Sequence, residues 1–183
     1  MLAVAFLRAV NLASHNRVAM ADLCSMLTEL KLSGARALLA SGNLVFEAGS
    51  ATPQALEGKL EQEAQRRLGL QTDFFVRTAK EWSAALAANP FPREAKQDPA
   101  RLLVFALKDA PGKAQTRALD EAITGPEVVR VAGRQAYIVY PDGVGRSRLT
   151  VALIERKLGT RATGRNWNTA CPFNRFSVRS DTS

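Results

Sequence analysis

The stretch Leu102-Leu-Val-Phe-Ala-Leu107 decides the fold, because the pattern of predicted secondary structure starts again there. An apolar run of this length, bounded by polar and turn-forming residues, predicts a buried strand. Residues 2–8 predict a strand of the same kind at the N-terminus. After each of these runs the sequence predicts a helix, two short strands, a second helix and a closing strand. The sequence therefore predicts two β-α-β-β-α-β units. The order of elements repeats, but the residues of the two units show no obvious identity.

In the first repeat, the helix and turn signals lie between residues 18 and 89. Apolar residues recur at helical spacing at Met20, Leu23, Cys24, Leu27 and Leu30. The turn Ser41-Gly42-Asn43 separates two short apolar runs and predicts a hairpin. Thr52-Pro53 predicts a helix start with a threonine cap, and residues 73–77 predict the closing strand. The capping box Thr78-Ala79-Lys80-Glu81 predicts a further helix that ends by Asn89-Pro90.

The second repeat has the same order of elements. A helix is predicted over residues 112–123, and two strands are predicted at 128–131 and 136–140 around Gly133-Arg134. Another helix is predicted to begin at Ser147 and to stop at Gly159, and a last strand is predicted over residues 161–167. We therefore expect an α+β fold with two ferredoxin-like halves, each an antiparallel sheet with two helices on one face. A single larger mixed sheet built from both halves is the alternative.

Domain boundaries follow from this repeat. Residues 1–88 and 101–169 are the two predicted halves. Residues 89–100 hold three prolines and mixed charge, and we interpret them as a linker. Residues 170–183 form a predicted basic tail.

Composition excludes several classes of protein. The chain has 183 residues, 46% apolar and 23% charged, which is ordinary for a globular protein of one medium or two small domains. No apolar run approaches the ~20 residues that a membrane span needs. The apolar N-terminus lacks a basic leader and a cleavage site, so we expect a cytoplasmic protein without a signal peptide.

Metal and thiol chemistry have little support in the sequence. The two cysteines, Cys24 and Cys171, lie far apart, and His15 is the single histidine. These counts argue against a zinc site and against a Cys-His catalytic pair. We predict no metal site, although a magnesium site made of carboxylates alone stays open, and the cofactor is unknown.

Positive charge is concentrated near the C-terminus. The formal net charge is +8, and residues 130–183 contain ten basic and three acidic residues, against fifteen and fourteen in residues 1–129. Nine of those ten basic residues are arginine, the side chain suited to forked contacts with phosphate or carboxylate. This distribution favours an anion-binding surface or, equally, a solvated face that keeps a basic protein soluble.

Two polar stretches in the C-terminal half are the main candidates for a ligand site. The first, residues 141–148, joins a strand to a helix and contains Gly143, Gly145, Arg146 and Ser147. Glycine lets backbone N–H groups approach an anion, but the spacing is not that of a P-loop, and a capped turn is the structural alternative. The second stretch contains Arg165, Asn166, Trp167 and Asn168.

The second stretch has its own geometric prediction. If it is a strand, Arg165 and Trp167 share one face and the two asparagines share the other. The tryptophan would then stack on a base or on an arginine, while the asparagines satisfy backbone groups or a ligand. A purely structural cluster of polar side chains is the alternative.

Two stretches in the N-terminal half are secondary candidates. Arg8, Asn11 and His15 lie in or beside the polar loop after the first strand, where the histidine could act as an acid or base. Asn43 lies at the hairpin tip, where a small polar residue is what a turn requires. We count Arg8, Asn11 and Asn43 among the candidate ligand-binding residues, with turn formation as the alternative.

Five motifs in order along the chain carry a family resemblance. They are Leu7-Arg8-Ala9-Val10-Asn11, the Val18-x-Met20-x-x-Leu23 spacing, Ser41-Gly42-Asn43-Leu44-Val45-Phe46, Gly143-Val144-Gly145-Arg146-Ser147 and Arg165-Asn166-Trp167-Asn168-Thr169. The chain resembles the bacterial family called domain of unknown function 1697. The resemblance implies a duplicated ferredoxin-like α/β architecture and no particular reaction. Ala9, Ala13-Ser14-His15 and Pro172 depart from the family pattern.

Three classes of function remain open at this point. The preferred hypothesis is a module that binds an anionic partner, either nucleic acid or a phosphorylated small molecule. The second is an enzyme for an anionic metabolite, with Arg146 and Arg165 holding the substrate and Asp142 or His15 transferring protons. The third is an interaction protein, such as a homodimer joined through open sheet edges. No membrane partner is expected.

Overall fold

The computed structural model describes residues 1–8, 18–38 and 42–173. Within them the chain divides into two compact units, the first over Met1–Ala84 and the second over Ala85–Pro172. The first unit contains strands β1 (Leu2–Leu7), β2 (Arg36–Ala37), β3 (Asn43–Glu47) and β4 (Phe74–Thr78) and helices α1 (Met20–Glu29) and α2 (Pro53–Leu68). Helix α3 (Ala79–Ala87) crosses the boundary between the units, and α4 (Pro92–Gln97) follows it.

The second unit repeats this order of elements. It contains strands β5 (Leu102–Leu107), β6 (Val128–Ala132), β7 (Gln135–Val139) and β8 (Ala162–Asn166), with helices α5 (Lys113–Ala122), α6 (Val151–Leu158) and α7 (Trp167–Ala170). A 3₁₀ turn at Val144–Arg146 precedes α6.

Each unit has one four-stranded sheet in which neighbouring strands are antiparallel. The strand order is β2-β3-β1-β4 in the first sheet and β6-β7-β5-β8 in the second. The two orders are equivalent, because the first and third strands of each repeat pair at the centre. The predicted α+β fold of two β-α-β-β-α-β halves with antiparallel sheets is confirmed, and the alternative of one mixed sheet is wrong.

One face of each sheet packs on helices and forms a core. In the first unit, β1, β3 and β4 direct residues such as Ala5, Phe46 and Val76 into the same cluster as Leu27 of α1 and Leu60 of α2. In the second unit, the corresponding cluster contains strand residues of β5, β6, β7 and β8, together with Leu119 of α5 and Ile154 of α6. The alternation of strand side chains therefore fills each core as the sequence pattern predicts.

Two helix starts show how the local signals act. The Thr52 side chain accepts a hydrogen bond from the Ala55 N–H at 3.3 Å, with Pro53 at the first helical position. The capping box at the start of α3 is closed in both directions, from Thr78 N–H to the Glu81 carboxylate at 2.7 Å and from Glu81 N–H to the Thr78 hydroxyl at 3.0 Å. Both predicted starts are confirmed.

Two local predictions differ from the structure. The helix expected from Ser147 begins at Val151, because the Thr150 side chain caps it by accepting the Leu153 N–H at 3.3 Å. The strand expected to reach Trp167 ends at Asn166, where α7 begins. Residues 89–100, interpreted as a linker, contain the short helix α4. Among the described residues, no helix is both long and apolar enough to cross a membrane.

Candidate ligand-binding site

A groove in the second unit contains part of the predicted glycine-containing loop. Its volume is about 500 Å³, and it lies between the loop before β6 and the loop that leads from β7 to α6. The lining residues are Thr124, Gly125, Pro126 and Glu127 on one side and Asp142, Arg146, Ser147 and Arg148 on the other. The groove therefore brings together two loops that are separated along the chain.

The loop from β7 to α6 is held by its own backbone. Gly143 has φ 86° and ψ 150°, a conformation that favours glycine over any residue with a Cβ. Its N–H donates to the Tyr140 carbonyl at 2.9 Å, and the Arg146 N–H donates to the Gly143 carbonyl at 3.3 Å. Gly143 is thus a turn residue, and its amide is already used within the loop.

Ser147 joins the two sides of the groove. Its hydroxyl donates to the Glu127 carboxylate and accepts the Leu149 N–H, the latter at 2.9 Å. The hydroxyl therefore stabilises the loop before α6. It does not cap that helix, since the cap is Thr150. Sequence reasoning placed Ser147 in the site and missed Glu127, because the two residues lie twenty positions apart.

Arg146 and Arg148 give the groove its positive charge. Both are exposed, and within the described part of the chain neither makes an ion pair. Glu127 and Asp142 place two carboxylates in the same lining. The groove is consequently of mixed charge, with two guanidinium groups available to an anion and carboxylates that can accept hydroxyl or amine hydrogens.

Arg165 lies elsewhere in the second unit and is buried. It is 8% exposed on β8, where its guanidinium donates to the Thr163 hydroxyl and to the Gly164 carbonyl, both at 2.9 Å. Burial lowers the pKa of Arg165 to about 10, because the charged form loses hydration. The sequence could not reveal this burial, since arginine is mostly exposed in proteins.

The residues after Arg165 have separate roles. Asn166 caps α7, since its side-chain oxygen accepts the Thr169 N–H at 2.9 Å and the Thr169 hydroxyl at 3.0 Å. Trp167 is half-buried within this short helix, and Asn168 is exposed. The expectation that Trp167 shares a strand face with Arg165 is wrong because the strand has already ended. Of these described residues, 165 to 168, none lines the groove.

The candidates of the first unit lie in its sheet and at its end. Arg8 forms an ion pair with Asp73 at 3.7 Å, and its N–H donates to the Asp73 carbonyl at 3.0 Å. Asn43 is fully buried on β3, opposite Phe6 of β1. Asn11 and His15 fall outside the described residues, as does Ser41 of the hairpin turn.

Metal binding has no cluster to support it in the described residues. No group of three or more histidine, cysteine, aspartate or glutamate side chains there is arranged to hold an ion. Cys24 and Cys171 are free thiols, and burial raises the pKa of both, which disfavours the reactive thiolate.

Comparison with known proteins agrees with the fold. The solved structure of the conserved bacterial protein SP0830 from Streptococcus pneumoniae is similar, with a TM-score of 0.73 and 21% sequence identity. The similarity covers 95% of this chain and 97% of that one. A search of curated proteins gave no match.

A family model also matches most of the chain. The model describes a protein of unknown function, DUF1697, and it matches residues 1–137. The match contains the first unit and the second as far as β7, and it ends before the loop that carries Arg146. The chain belongs to the DUF1697 family of proteins of unknown function.

Proposed function

We propose that the second unit binds a small phosphorylated molecule in the groove between Glu127 and Arg148. The observation that carries the proposal is the pair of exposed arginines, Arg146 and Arg148, in the lining of a concave site. Guanidinium groups match the geometry of phosphate oxygens and stay charged at all relevant pH values. A volume of about 500 Å³ also lies within the usual range for small-ligand sites.

The carboxylates favour a small ligand over nucleic acid. Glu127 and Asp142 would repel a continuous phosphate backbone laid along the groove. A compact ligand with one phosphate and several hydroxyl groups can place the phosphate at the arginines and the hydroxyls at the acids. Neither Arg165 nor Trp167 lines the groove. We further propose that the protein acts in the cytoplasm, where small phosphorylated molecules are made and used.

Calorimetric titration with ribose 5-phosphate and with pyrophosphate tests the proposal. Loss of a hydrogen bond to a charged group costs about 1.5–3 kcal/mol, so Arg146→Ala or Arg148→Ala should weaken binding by about tenfold or more. Arg156→Ala is the matched control, because Arg156 is an exposed arginine of the same unit outside the groove lining.

Two results would overturn the proposal. Equal weakening by Arg146→Ala and Arg156→Ala would mean that general charge attracts the ligand. Absence of phosphate binding, with salt-sensitive binding of a short single-stranded RNA in its place, would favour the nucleic-acid hypothesis.

A further inference from the structure

The edge strands β4 and β8 are protected in a similar way. An edge strand presents unpaired N–H and C=O groups that can pair with another chain. On β4, the N–H groups of Phe74 and Val76 donate to the carboxylates of Glu61 and Glu57 at 2.9 and 2.8 Å. On β8, the Ala162 N–H donates to Glu155 at 2.9 Å. Helix carboxylates therefore occupy edge amides in both units.

Arginines occupy edge carbonyls in a matching way. Arg77 of β4 donates to the Val76 carbonyl at 2.8 Å, and Arg165 of β8 donates to the Gly164 carbonyl at 2.9 Å. Arg130 of β6 does the same to the Val129 carbonyl at 2.7 Å. In each case the guanidinium folds back onto the residue before it.

Strand β6 differs because its outward amides have no carboxylate over them. The Arg134 carbonyl accepts the Leu107 N–H at 2.9 Å, so the backbone groups of Arg134 point to β5. Backbone groups alternate in direction along a strand, and those of Gln135, Tyr137 and Val139 therefore point to β6. The register pairs these three with Ala132, Arg130 and Val128, which leaves the backbone groups of Val129 and Val131 pointing to the open edge. Among the described residues, nothing accepts the N–H of Val129 or of Val131.

A second cavity lies beside this edge. Its volume is about 370 Å³, and Val131 of β6 lines it together with one face of helix α5. That face carries Lys113, Thr116, Arg117 and Asp120. The cavity therefore has an apolar strand side and a helix side with two cations and one acid, in the place where the side chains of an added strand would lie.

We propose that strand β6 and helix α5 form a binding site for an acidic peptide segment that adds to the sheet as a fifth strand. The segment's carbonyls accept the N–H groups of Val129 and Val131, and its side chains alternate between the two faces of the sheet. On one face they meet Arg130, and on the other they enter the cavity beside Lys113 and Arg117.

Arg130 selects for acidic side chains. A fifth strand needs the Val129 carbonyl for its own N–H, so the guanidinium must leave that carbonyl. A carboxylate on the incoming segment gives the displaced guanidinium a new acceptor, whereas a neutral or basic segment leaves it without one. Arg130 thus disfavours the pairing of neutral or basic segments with β6 and favours the pairing of acidic ones.

A second copy of this chain fits the edge less well. If Val129 of one copy paired with Val131 of another across a twofold axis, the two Arg130 residues would lie directly opposite each other. Like charges at such positions are destabilising, and the chain carries a net charge of +8. The proposal is independent of the anion groove, because it uses neither Arg146 nor Arg148.

The test uses the heptapeptide Glu-Val-Glu-Val-Glu-Val-Glu with blocked ends, titrated into the whole protein. Amide hydrogen exchange followed by NMR should show the Val129 and Val131 amides exchanging about tenfold more slowly on binding. The edge amides of Phe74 and Ala162 serve as internal controls and should not change. The same peptide with a central proline, and a peptide with lysine in place of glutamate, should bind about tenfold more weakly or not at all.

Two variants separate strand addition from simple attraction. Val131→Pro removes one outward N–H while keeping the bonds to β7, and it should abolish protection at Val129. Arg130→Ala should remove the preference for glutamate over a matched glutamine peptide, and it keeps the proposal testable if the proline variant does not fold. Arg156→Ala is the charge control and should leave binding unchanged.

Three outcomes would overturn the proposal. Equal binding of the proline-containing peptide would show attraction by charge alone. Binding without protection at Val129 and Val131 would place the peptide elsewhere. Protection of these amides in the free protein, together with a dimer in sedimentation, would assign the edge to a second copy. If the protein binds the peptide but no phosphorylated ligand, only the proposed phosphate site in the groove is contradicted.

Discussion

Strands β1 and β5 occupy equivalent places in the two units, but a small and a large side chain stand in the opposite order at two neighbouring positions. Their sequences are L-A-V-A-F-L and L-L-V-F-A-L, so alanine and phenylalanine exchange places. In the first unit Ala5 lies opposite Val76 of β4, and in the second Phe105 lies opposite Gly164 of β8. The alternation of residues determines which side chains enter the core, whereas their sizes are matched across each pair of strands.

The same exchange affects the other face of each sheet. Phe6 of β1 contacts Trp82 with ring centroids 4.5 Å apart. Ala106 of β5 takes the equivalent position, and Tyr137 of the same sheet donates its hydroxyl to the Ala85 carbonyl at 2.7 Å. Both faces of the central strands are therefore buried in each unit. On this second face, the first unit has an aromatic contact, whereas the second unit has a hydrogen bond from a tyrosine.

Edge arginines show a second difference between the units. Arg77 lies opposite Val4, and Arg165 lies opposite Val104, at the same position in each repeat. Arg77 has the Glu57 carboxylate 3.3 Å away, while the Arg165 guanidinium bonds the Thr163 hydroxyl. The position thus retains a buried arginine with different neighbours in each unit.

The largest expected loss of stability comes from removing the Glu57 carboxylate of the first unit. Glu57→Ala should lower the free energy of unfolding by about 3–5 kcal/mol, because Arg77 stays buried without this partner. Glu155→Ala should cost about 1–3 kcal/mol, since it removes an acceptor from the Ala162 N–H while its partner Arg161 is half exposed. Urea unfolding of the two variants checks the difference, and equal losses would contradict it.

The size exchange predicts a smaller and more specific effect. A Cβ at Gly164 would come within 2.7 Å of the Phe105 ring, so Gly164→Ala should destabilise the second unit by about 1–3 kcal/mol through overpacking. Phe105→Leu should cost less in the Gly164→Ala background than in the parent, because the smaller side chain leaves room for the methyl group. A double-mutant cycle measures this coupling, and additive losses would show that the two positions are independent.

The smallest effect concerns pH and the exposed face of α2. Hydrogen bonds from Arg66 and Arg67 lower the pKa of Glu63 from 4.5 to about 2. A lowered carboxyl pKa contributes stability that is present above pH 4.5 and is lost as the pH falls from 4.5 to about 2. Glu63→Gln should therefore flatten the stability profile in this window.

The control for this pH effect lies in the second unit. Glu121 of α5 is 3.6 Å from Arg117, whereas Glu63 is 2.6 Å from Arg66. Unfolding in urea across the acidic range should show a smaller change for Glu121→Gln than for Glu63→Gln. Identical profiles for Glu63→Gln and the parent protein would contradict the prediction.

Sequence signals predicted the elements well where the cause is local. Thr52-Pro53 and the Thr78 capping box give helix starts directly, because a cap bonds within its own first turn. The start of α6 was misplaced, since Ser147 and Thr150 are both good caps and only the structure shows that Ser147 turns to Glu127. The strand at Trp167 was extended too far because Asn166 caps a helix inside an otherwise strand-like stretch.

The candidate site was predicted only in part, for a related reason. Arg146 and Ser147 were found because glycine and polar residues cluster along the chain. Glu127 was missed because it lies twenty positions before Ser147. The cavity beside Lys113 was missed because its lining joins helix α5 to Val131 of strand β6, and only the packing of that helix on the sheet brings the two together. Arg165 was predicted as a ligand contact from residue type, and its burial on β8 is visible only in three dimensions.

The sequence by itself determined the repeated β-α-β-β-α-β order, the helix starts at Thr52 and Thr78 and the excess of arginine near the C-terminus. These features depend on periodicity, on bonds within one turn and on composition, so neighbours along the chain suffice. Only the tertiary structure decided which arginines are buried, which edge amides have carboxylates over them and where the two cavities lie. Those properties depend on strand register and on helix placement, which join residues that are far apart in the chain.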